Sequence, residues 1–324
     1  MNINVIYAIP PTSIKFTNWH DGFTEAMKLV SEHHAIKWVN VHPLAGKPNK
    51  EEILNCDILL VKSDWNWIPD GVVRDILAAL PAGSKAPLTA LAISGSNPPP
   101  EGELDRFDVL FYETTWYAPQ VADHPNTFQA FGIDTDTMCS TPVLERDIDY
   151  LMVGRPAGFK NVDKLLERSG RRVLVGEIAN HDDTVAMLKA DGIEVIDFIP
   201  YEELSALYRR SKTVLVAAEL QGGGERAVLE GRSCGCNVEI VSDNPKLNSV
   251  NDGPLLSHRD YAQQLLKGFA AAQENPMPSA RKQAALQLAK TREEKRRRKA
   301  TVKKIARLPY RVARKLYRTI KPAK

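Results

Sequence analysis

Between residues 149 and 243 the chain alternates short β-rich runs with amphipathic stretches at nearly even spacing, and few architectures accommodate that rhythm. The runs DYLMVGR, RRVLVGEI, GIEVIDFIP, KTVLVAAE and NVEIVSD read as strands. Between them NVDKLLERSG, DDTVAMLKADG and PYEELSALYRRS place apolar residues three or four apart, as helix faces do, and two of them end on glycine. Strands and helices in this order predict a parallel sheet with helical crossovers. The first half repeats the theme less evenly. Its candidate strands are INVIYAI, IKWVNVH, CDILLVKSD, PLTALAISG and FDVLFYETT, with a helix at GFTEAMKLVSEHH, where Phe23, Ala26, Met27 and Val30 share a face, and another at VVRDILAAL. The fold class is therefore α/β: two Rossmann-like, doubly wound domains in tandem, residues 1–145 and 146–280, joined between residues 139 and 148. Sheets of this kind bind ligands beyond the carboxyl ends of their strands, so a cleft between two facing domains is the expected site.

A chain of 324 residues is long enough for two such cores. It has no uninterrupted apolar run of spanning length, and MNINVIYAIP lacks the basic start of a signal peptide, so a cytoplasmic protein is expected. Cys56, Cys139, Cys234 and Cys236 are too scattered for a disulfide framework or a four-ligand zinc site. The net charge of +3 conceals a division: residues 281–324 carry 18 Lys and Arg against Glu293 and Glu294, a local +16 that leaves −13 on the remainder. Such asymmetry bears on partners and not on fold.

The triple glycine Gly222, Gly223 and Gly224 separates strand KTVLVAAE from a short helix, ERAVLEGRSCG. A glycine turn before a helix exposes backbone N–H groups and the positive end of the helix dipole, which suits a phosphate. The plainer alternative is a tight turn followed by a surface pair, Arg226 with Glu230, one helical turn apart. A second feature bears on the choice. VGRPAGFKN places Arg155 and Lys160 in the loop leaving the first strand of domain two, where two cations can clamp a diphosphate.

Taken together, VGRPAGFKN, VLVGEI, IDFIPYEELSALYRRSKTVLV and GGGERAVLEGRSCGCNVEIV resemble the carboxy-terminal domain of GT-B fold, retaining glycosyltransferases of family 4. FGIDTDTM is similar to the family's interdomain segment, so the likeness runs over roughly residues 130–245. The resemblance implies a hexosyl- or pentosyltransferase whose donor is a nucleoside-diphosphate sugar and which needs no other cofactor. Arg155 and Lys160 would contact the diphosphate, Glu230 would accept hydrogen bonds from the ribose, and the glycine loop would approach phosphate and sugar. Arg226 would border the same site. The family's first motif glutamate falls on Gly222, so Glu219 or Glu225 would have to supply that carboxylate, or the chain binds sugar nucleotide without transferring it. Where relatives place a histidine after the fourth strand, this chain offers Ser94 and Ser96. His20 and Asp21 are further candidates beside the cleft, with a helix cap by Asp21 as the alternative. Retention in such enzymes is thought to involve the donor phosphate itself and no metal. Asp134 and Asp136, and His181, Asp182 and Asp183, look like ligand sets but are read as ordinary interdomain and surface residues.

The basic tail, residues 281–324, combines a charge run, TREEKRRRKATVKK, with Ile305, Leu308, Val312, Leu316 and Ile320 at helical spacing, and with Tyr310 and Tyr317. Pro309 would start or kink its last helix. A basic amphipathic helix lies on anionic lipid, each cation near the surface adding about 1 kcal/mol. Peripheral attachment through residues 291–324 would suit a glycan or lipid-linked acceptor. Nucleic acid and a purely solvated tail are the alternatives.

Overall fold

The computed structural model describes residues 1–13, 19–46, 48–64, 72–80, 86–94 and 102–306. Two parallel sheets organise it. Strands β1 (Asn2–Tyr7), β2 (Ala35–Asn40), β3 (Ile58–Asp64), β4 (Leu88–Ser94), β5 (Val109–Tyr112) and β6 (Thr127–Gln129) form the first, in the order β2-β1-β3-β4-β5-β6. Strands β7 (Ile148–Val153), β8 (Arg172–Val175), β9 (Glu194–Ile196), β10 (Ser211–Val216) and β11 (Asn237–Ile240) form the second, in the order β11-β10-β7-β8-β9. Strand order reverses between β1 and β3 in one sheet and between β7 and β10 in the other. Those reversals part the following loops and create ligand crevices.

The first half carries helices α1 (Gly22–Ser31), α2 (Lys50–Leu54), α3 (Val72–Ala78) and α4 (Ala118–Val121). The second carries α5 (Asp182–Ala190), α6 (Tyr201–Arg210), α7 (Glu225–Ser233) and α8 (Pro245–Asp252), followed by α9 (His258–Glu274) and α10 (Ser279–Ala306). Helix α1 buries Phe23, Ala26, Met27 and Val30, the face expected from their spacing, and starts at an Asp21–Thr24 capping box.

Three features differ from the sequence reading. NVDKLLERSG does not form an α-helix. It forms 3₁₀ turns at Gly158–Lys160 and Val162–Leu165, because Asn161 between them adopts the left-handed conformation (φ 48°) and its side-chain amide donates to the Ala217 carbonyl at 3.0 Å. Strand β6 and helix α9 were not anticipated. Although α9 follows the second sheet in the chain, its buried Tyr261, Ala262, Leu265, Phe269 and Ala272 belong to the first sheet's core, and Phe269 meets Phe111 edge-on at 5.5 Å. The crossing back is stitched to the crossing forward: Ile133 N–H donates to the Leu256 carbonyl (3.1 Å) and His258 N–H to the Ile133 carbonyl (2.7 Å).

The third difference is the start of the basic tail. Residues 281–292 are not a solvated run but the docked portion of α10, where Ala285 and Ala289 are buried and Arg281, Lys282 and Arg292 pair with Asp105, Asp108 and Glu103 of the first half. Beyond them Glu294–Lys299 are exposed. Of the apolar positions expected farther on, Ile305 falls in the last turn of α10; Leu308, Pro309, Tyr310, Val312, Leu316, Tyr317 and Ile320 lie outside the described residues. Among the described residues no helix is long and apolar enough to cross a membrane.

Candidate active site

The loops leaving the carboxyl ends of both sheets enclose a cleft of about 640 Å³. Asp21, Arg155, Lys160, Gly222, Gly223, Gly224, Glu225, Arg226 and Glu230 all line it. Among the described candidates, His20 and Glu219 do not.

The glycines have distinct reasons to be glycine. A Cβ on Gly222 would stand 2.5 Å from the Phe159 carbonyl oxygen and 3.0 Å from the Ala218 Cβ, because the loops at 158–160 and 220–222 pack backbone to backbone. A glutamate at this position is therefore sterically barred unless that contact opens. Gly223 (φ +67°) and Gly224 (φ +112°) occupy left-handed conformations that cost other residues about 1–2 kcal/mol. Gly224 is the N-cap of α7, and no side chain caps that helix. Its first-turn N–H groups thus lack an intrahelical partner, and Gly224, Glu225, Arg226 and Ala227 line the cleft, an arrangement suited to an anion.

Two cations flank it. Arg155 is exposed, with its guanidinium 5.3 Å from the centre of the Phe159 ring. Lys160 passes against Gly154, where a Cβ would come within 3.2 Å of the lysine Cε.

Glu230 is 3% exposed, so it does not form the surface pair with Arg226 that its spacing suggested. Instead Tyr201 donates its hydroxyl to Oε1 (3.0 Å) and Tyr208 donates to Oε2 (2.8 Å). Burial, followed by the adjacent Glu230 charge, pushes both phenols well above their usual range, so both remain donors. Each carboxylate oxygen keeps a second lone pair for an incoming hydroxyl. Arg226 instead reaches across to the first half, 3.3 Å from Asp21. Burial works against its charge, but Glu230 and Asp21 outweigh that and hold its pKa above the ordinary value.

Glu225 opens α7 and forms an ion pair with Lys246 at 2.7 Å, the two side chains being 8% and 2% exposed. In the sequence Lys246 is one lysine in a short helix with nothing to mark it. Asp21 serves as the α1 cap and also accepts from the Trp19 indole at 3.0 Å. The first half adds Lys62, 3.1 Å from Glu113 and 5.1 Å from the centre of the Phe23 ring. Burial disfavours the Lys62 ammonium, yet Tyr261, Glu113 and Asp21 more than compensate and raise its pKa; burial pushes Tyr261 up to about 12. A lone lysine at the end of strand CDILLVKSD was the available signal, and it was missed.

The other candidates sit elsewhere. Glu219 is exposed and bonded to Gln221. Ser94 closes β4, and Ser96 lies outside the described residues. His20 turns to Asp134, 3.0 Å away, and packs against Tyr201 with ring centres 4.5 Å apart. Asp134 is buried and accepts from the Asp136 and Thr137 N–H groups, while Asp136 holds Arg259 through two bonds of 2.8 and 2.7 Å. Asp182 and Asp183 occupy the first turn of α5, with His181 as its N-cap.

No protein-family model matches the chain, and no curated protein sequence does. Solved structures do share its fold. AviGT4, a glycosyltransferase involved in avilamycin A biosynthesis, superposes with a TM-score of 0.55 at 15% identity over 83% of this chain and 97% of its own. Anabaena HepE, solved with UDP and glucose, gives 0.53 at 11% identity over 91% of this chain and 100% of its own. The sucrose-phosphate synthase of Thermosynechococcus elongatus gives 0.53 at 12% identity over 91% and 98%. The two-sheet GT-B architecture expected from the sequence is the one present.

Proposed function

We propose that the chain is a glycosyltransferase that takes a hexosyl or pentosyl group from a nucleoside-diphosphate donor and delivers it, with retention of configuration, to a glycan or lipid-linked acceptor at a membrane surface. One observation carries this reading: Arg155, Lys160, the uncapped start of α7 and the tyrosine-held Glu230 converge on a single cleft between two sheets.

In that cleft the diphosphate lies against the first-turn N–H groups of α7, and Arg155 and Lys160 neutralise the charge that grows on it as the glycosidic bond breaks. Fixed dipoles and cations of this kind stabilise the transition state more than the ground state, so they accelerate departure of the nucleoside diphosphate. Glu230 accepts hydrogen bonds from the ribose hydroxyls. With position 222 barred to a carboxylate, Glu225 lines the cleft beside the glycine loop, its Oε2 lying 3.4 Å from where a Gly223 Cβ would be. Glu225 would take the sugar hydroxyls while Lys246 holds it. The transfer step draws on no metal. Lys62, Glu113 and Tyr261 face the donor from the first half, where an acceptor would enter.

UDP-sugars are the donors to try first, since HepE binds UDP and glucose. Thermal-shift titration with nucleoside diphosphates, paired with donor hydrolysis in the absence of acceptor, tests the reading. Saturating UDP at about 100 times its dissociation constant should stabilise the fold by about 2.7 kcal/mol. Arg155→Ala should slow hydrolysis more than it weakens binding. Binding without turnover would instead mark a sugar-nucleotide-binding protein that has lost transfer. For the acceptor, anionic vesicles and duplex DNA compared across a salt series separate a lipid surface from nucleic acid, and loss of residues 291–324 should abolish vesicle binding.

A further inference from the structure

His20 and Asp134 find no part in the cleft chemistry, yet the fold brings them together with unusual care. His20 lies in the loop before α1, Glu25 in the first turn of α1, and Asp134 in the segment that crosses to the second half. His20 Nε2 stands 3.0 Å from Asp134 Oδ2 and 3.3 Å from Glu25 Oε1. One nitrogen cannot donate a single proton well to two carboxylates. In a tetrahedral site with bonds of about 2.0–2.2 Å, neighbouring ligand atoms lie about 3.3–3.6 Å apart. The two edges from His20 are within a few tenths of an ångström of that, and all three ligand atoms lie within 4.8 Å of one another.

We propose that His20 Nε2, Glu25 Oε1 and Asp134 Oδ2 form a site for one divalent transition-metal ion of the Zn²⁺ type, clasping helix α1 of the first half to the crossing segment. Three protein ligands leave a fourth position for water, and one imidazole with two carboxylates is a donor set that zinc accepts.

Two further observations bear on the site. The other ring nitrogen of His20 faces a third carboxylate: Nδ1 is 3.8 Å from Glu202 Oε1 on α6. At that separation the contact is electrostatic and not a hydrogen bond, but it turns Nδ1 toward an acidic group, as the outward nitrogen of a metal-bound histidine is turned, and leaves Nε2 as the ligand. Tyr201 packs against the ring at a tilt of 32° and confines its plane as well. On the far side of Asp134, the His258 side chain is 6% exposed and its Nδ1 has no hydrogen-bond partner, although it stands 3.7 Å from Asp134 Oδ1. That separation is too long for a hydrogen bond. Oδ1 is thus turned to His258 and to the Asp136 and Thr137 N–H groups, which leaves Oδ2 to His20. Lys28 Nζ, 2.6 Å from Glu25 Oε1, competes for one ligand oxygen, but its side chain is 69% exposed and can swing into solvent.

The site lies behind the cleft wall and not in it. Asp21 and Gly22, the residues after His20, line the cleft, and Gly22 packs so tightly on Gly132 that a Cβ there would fall 1.8 Å from the Gly132 carbonyl oxygen. An ion at His20 would therefore lock the cleft's first-half edge to the crossing segment without touching the donor.

The test uses the full chain, stripped with chelator, dialysed against zinc chloride and assayed for bound metal, with Co²⁺ as a spectroscopic reporter. The expected result is one tightly held Zn²⁺ per chain, a Co²⁺ visible spectrum with tetrahedral intensity, and a rise in melting temperature that chelator reverses. His20→Ala should abolish all three, Glu202→Gln should weaken zinc by about 10- to 100-fold, and His181→Ala should change nothing. A chain that binds no zinc saturably, or a folded His20→Ala protein that binds it as the parent does, overturns the proposal. UDP binding read in parallel is independent of either outcome.

Discussion

The Tyr208 hydroxyl donates to Glu230 Oε2 at 2.8 Å inside the second-half core, while the half-buried Tyr201 holds Oε1 at 3.0 Å. The carboxylate best placed to meet a ribose is thus fixed at both oxygens before any ligand arrives. Replacing Tyr208 with Phe leaves a buried carboxylate oxygen short of its donor. The expected outcome is a loss of about 1–3 kcal/mol in urea-unfolding free energy, with donor KM raised more than kcat is lowered. Tyr201→Phe, at a less buried position, should cost less stability and as much donor affinity.

Placing a glutamate at position 222 should harm this chain. Gly222→Glu drives a Cβ against the Phe159 carbonyl, and the resulting displacement should destabilise by about 1–3 kcal/mol and impair donor binding in a thermal-shift titration. Gly224→Ala should cost about 1–2 kcal/mol through its positive φ alone.

Lys246 and Glu225 form a nearly dry ion pair, so removing one partner strands the other. Lys246→Met is expected to cost about 3–5 kcal/mol in chemical denaturation, and the Lys246→Met, Glu225→Gln double variant should recover most of it. A double variant whose loss equals the sum of the separate Lys246→Met and Glu225→Gln losses would show that the two do not interact.

Asp21 sets a direction for acid stability. Burial alone would raise its pKa, but Arg226, the Thr24 N–H, the Trp19 indole and Lys62 together lower it below the usual carboxylate value. A depressed folded-state pKa means that the unfolded chain takes up the proton first. The contribution is therefore complete above the ordinary aspartate pKa of about 3.9 and is lost as pH falls below that value and through the folded-state pKa. Unfolding free energies measured between neutral pH and about pH 3 should decline less steeply in Asp21→Asn than in the parent.

Much of the architecture was legible in the sequence because period and punctuation agreed: the β-rich runs at 149, 171 and 212 and the α1 face at Phe23, Ala26, Met27 and Val30 all appear where their spacing put them. The misses have physical causes. NVDKLLERSG has helical spacing, but a left-handed Asn161 anchored to Ala217 breaks it, and only the folded neighbour supplies that anchor. Helix α9 carried a readable signal, the Ser257–Asp260 capping box before Tyr261, Leu265 and Phe269, though nothing in it revealed which sheet it would join. In the site, residue types in loops pointed to the right cleft, whereas Lys62, Glu113 and Lys246 look like ordinary surface charges until partners distant in the chain bury them. Position 222 shows the reverse: sequence marked the glycine as a gap in a motif, and only the Phe159 carbonyl explains it.

The hydrogen-bonded stitch between Ile133 and the Leu256–His258 stretch has a mechanical corollary. Two covalent straps running side by side at one edge behave like a piano hinge: they favour swinging of one lobe about their common line and resist swivelling or sliding. Opening to admit a sugar nucleotide would then be a scissor motion with its pivot near residue 133, and severing the backbone just after residue 257 would deprive the amino-terminal lobe of part of its own interior.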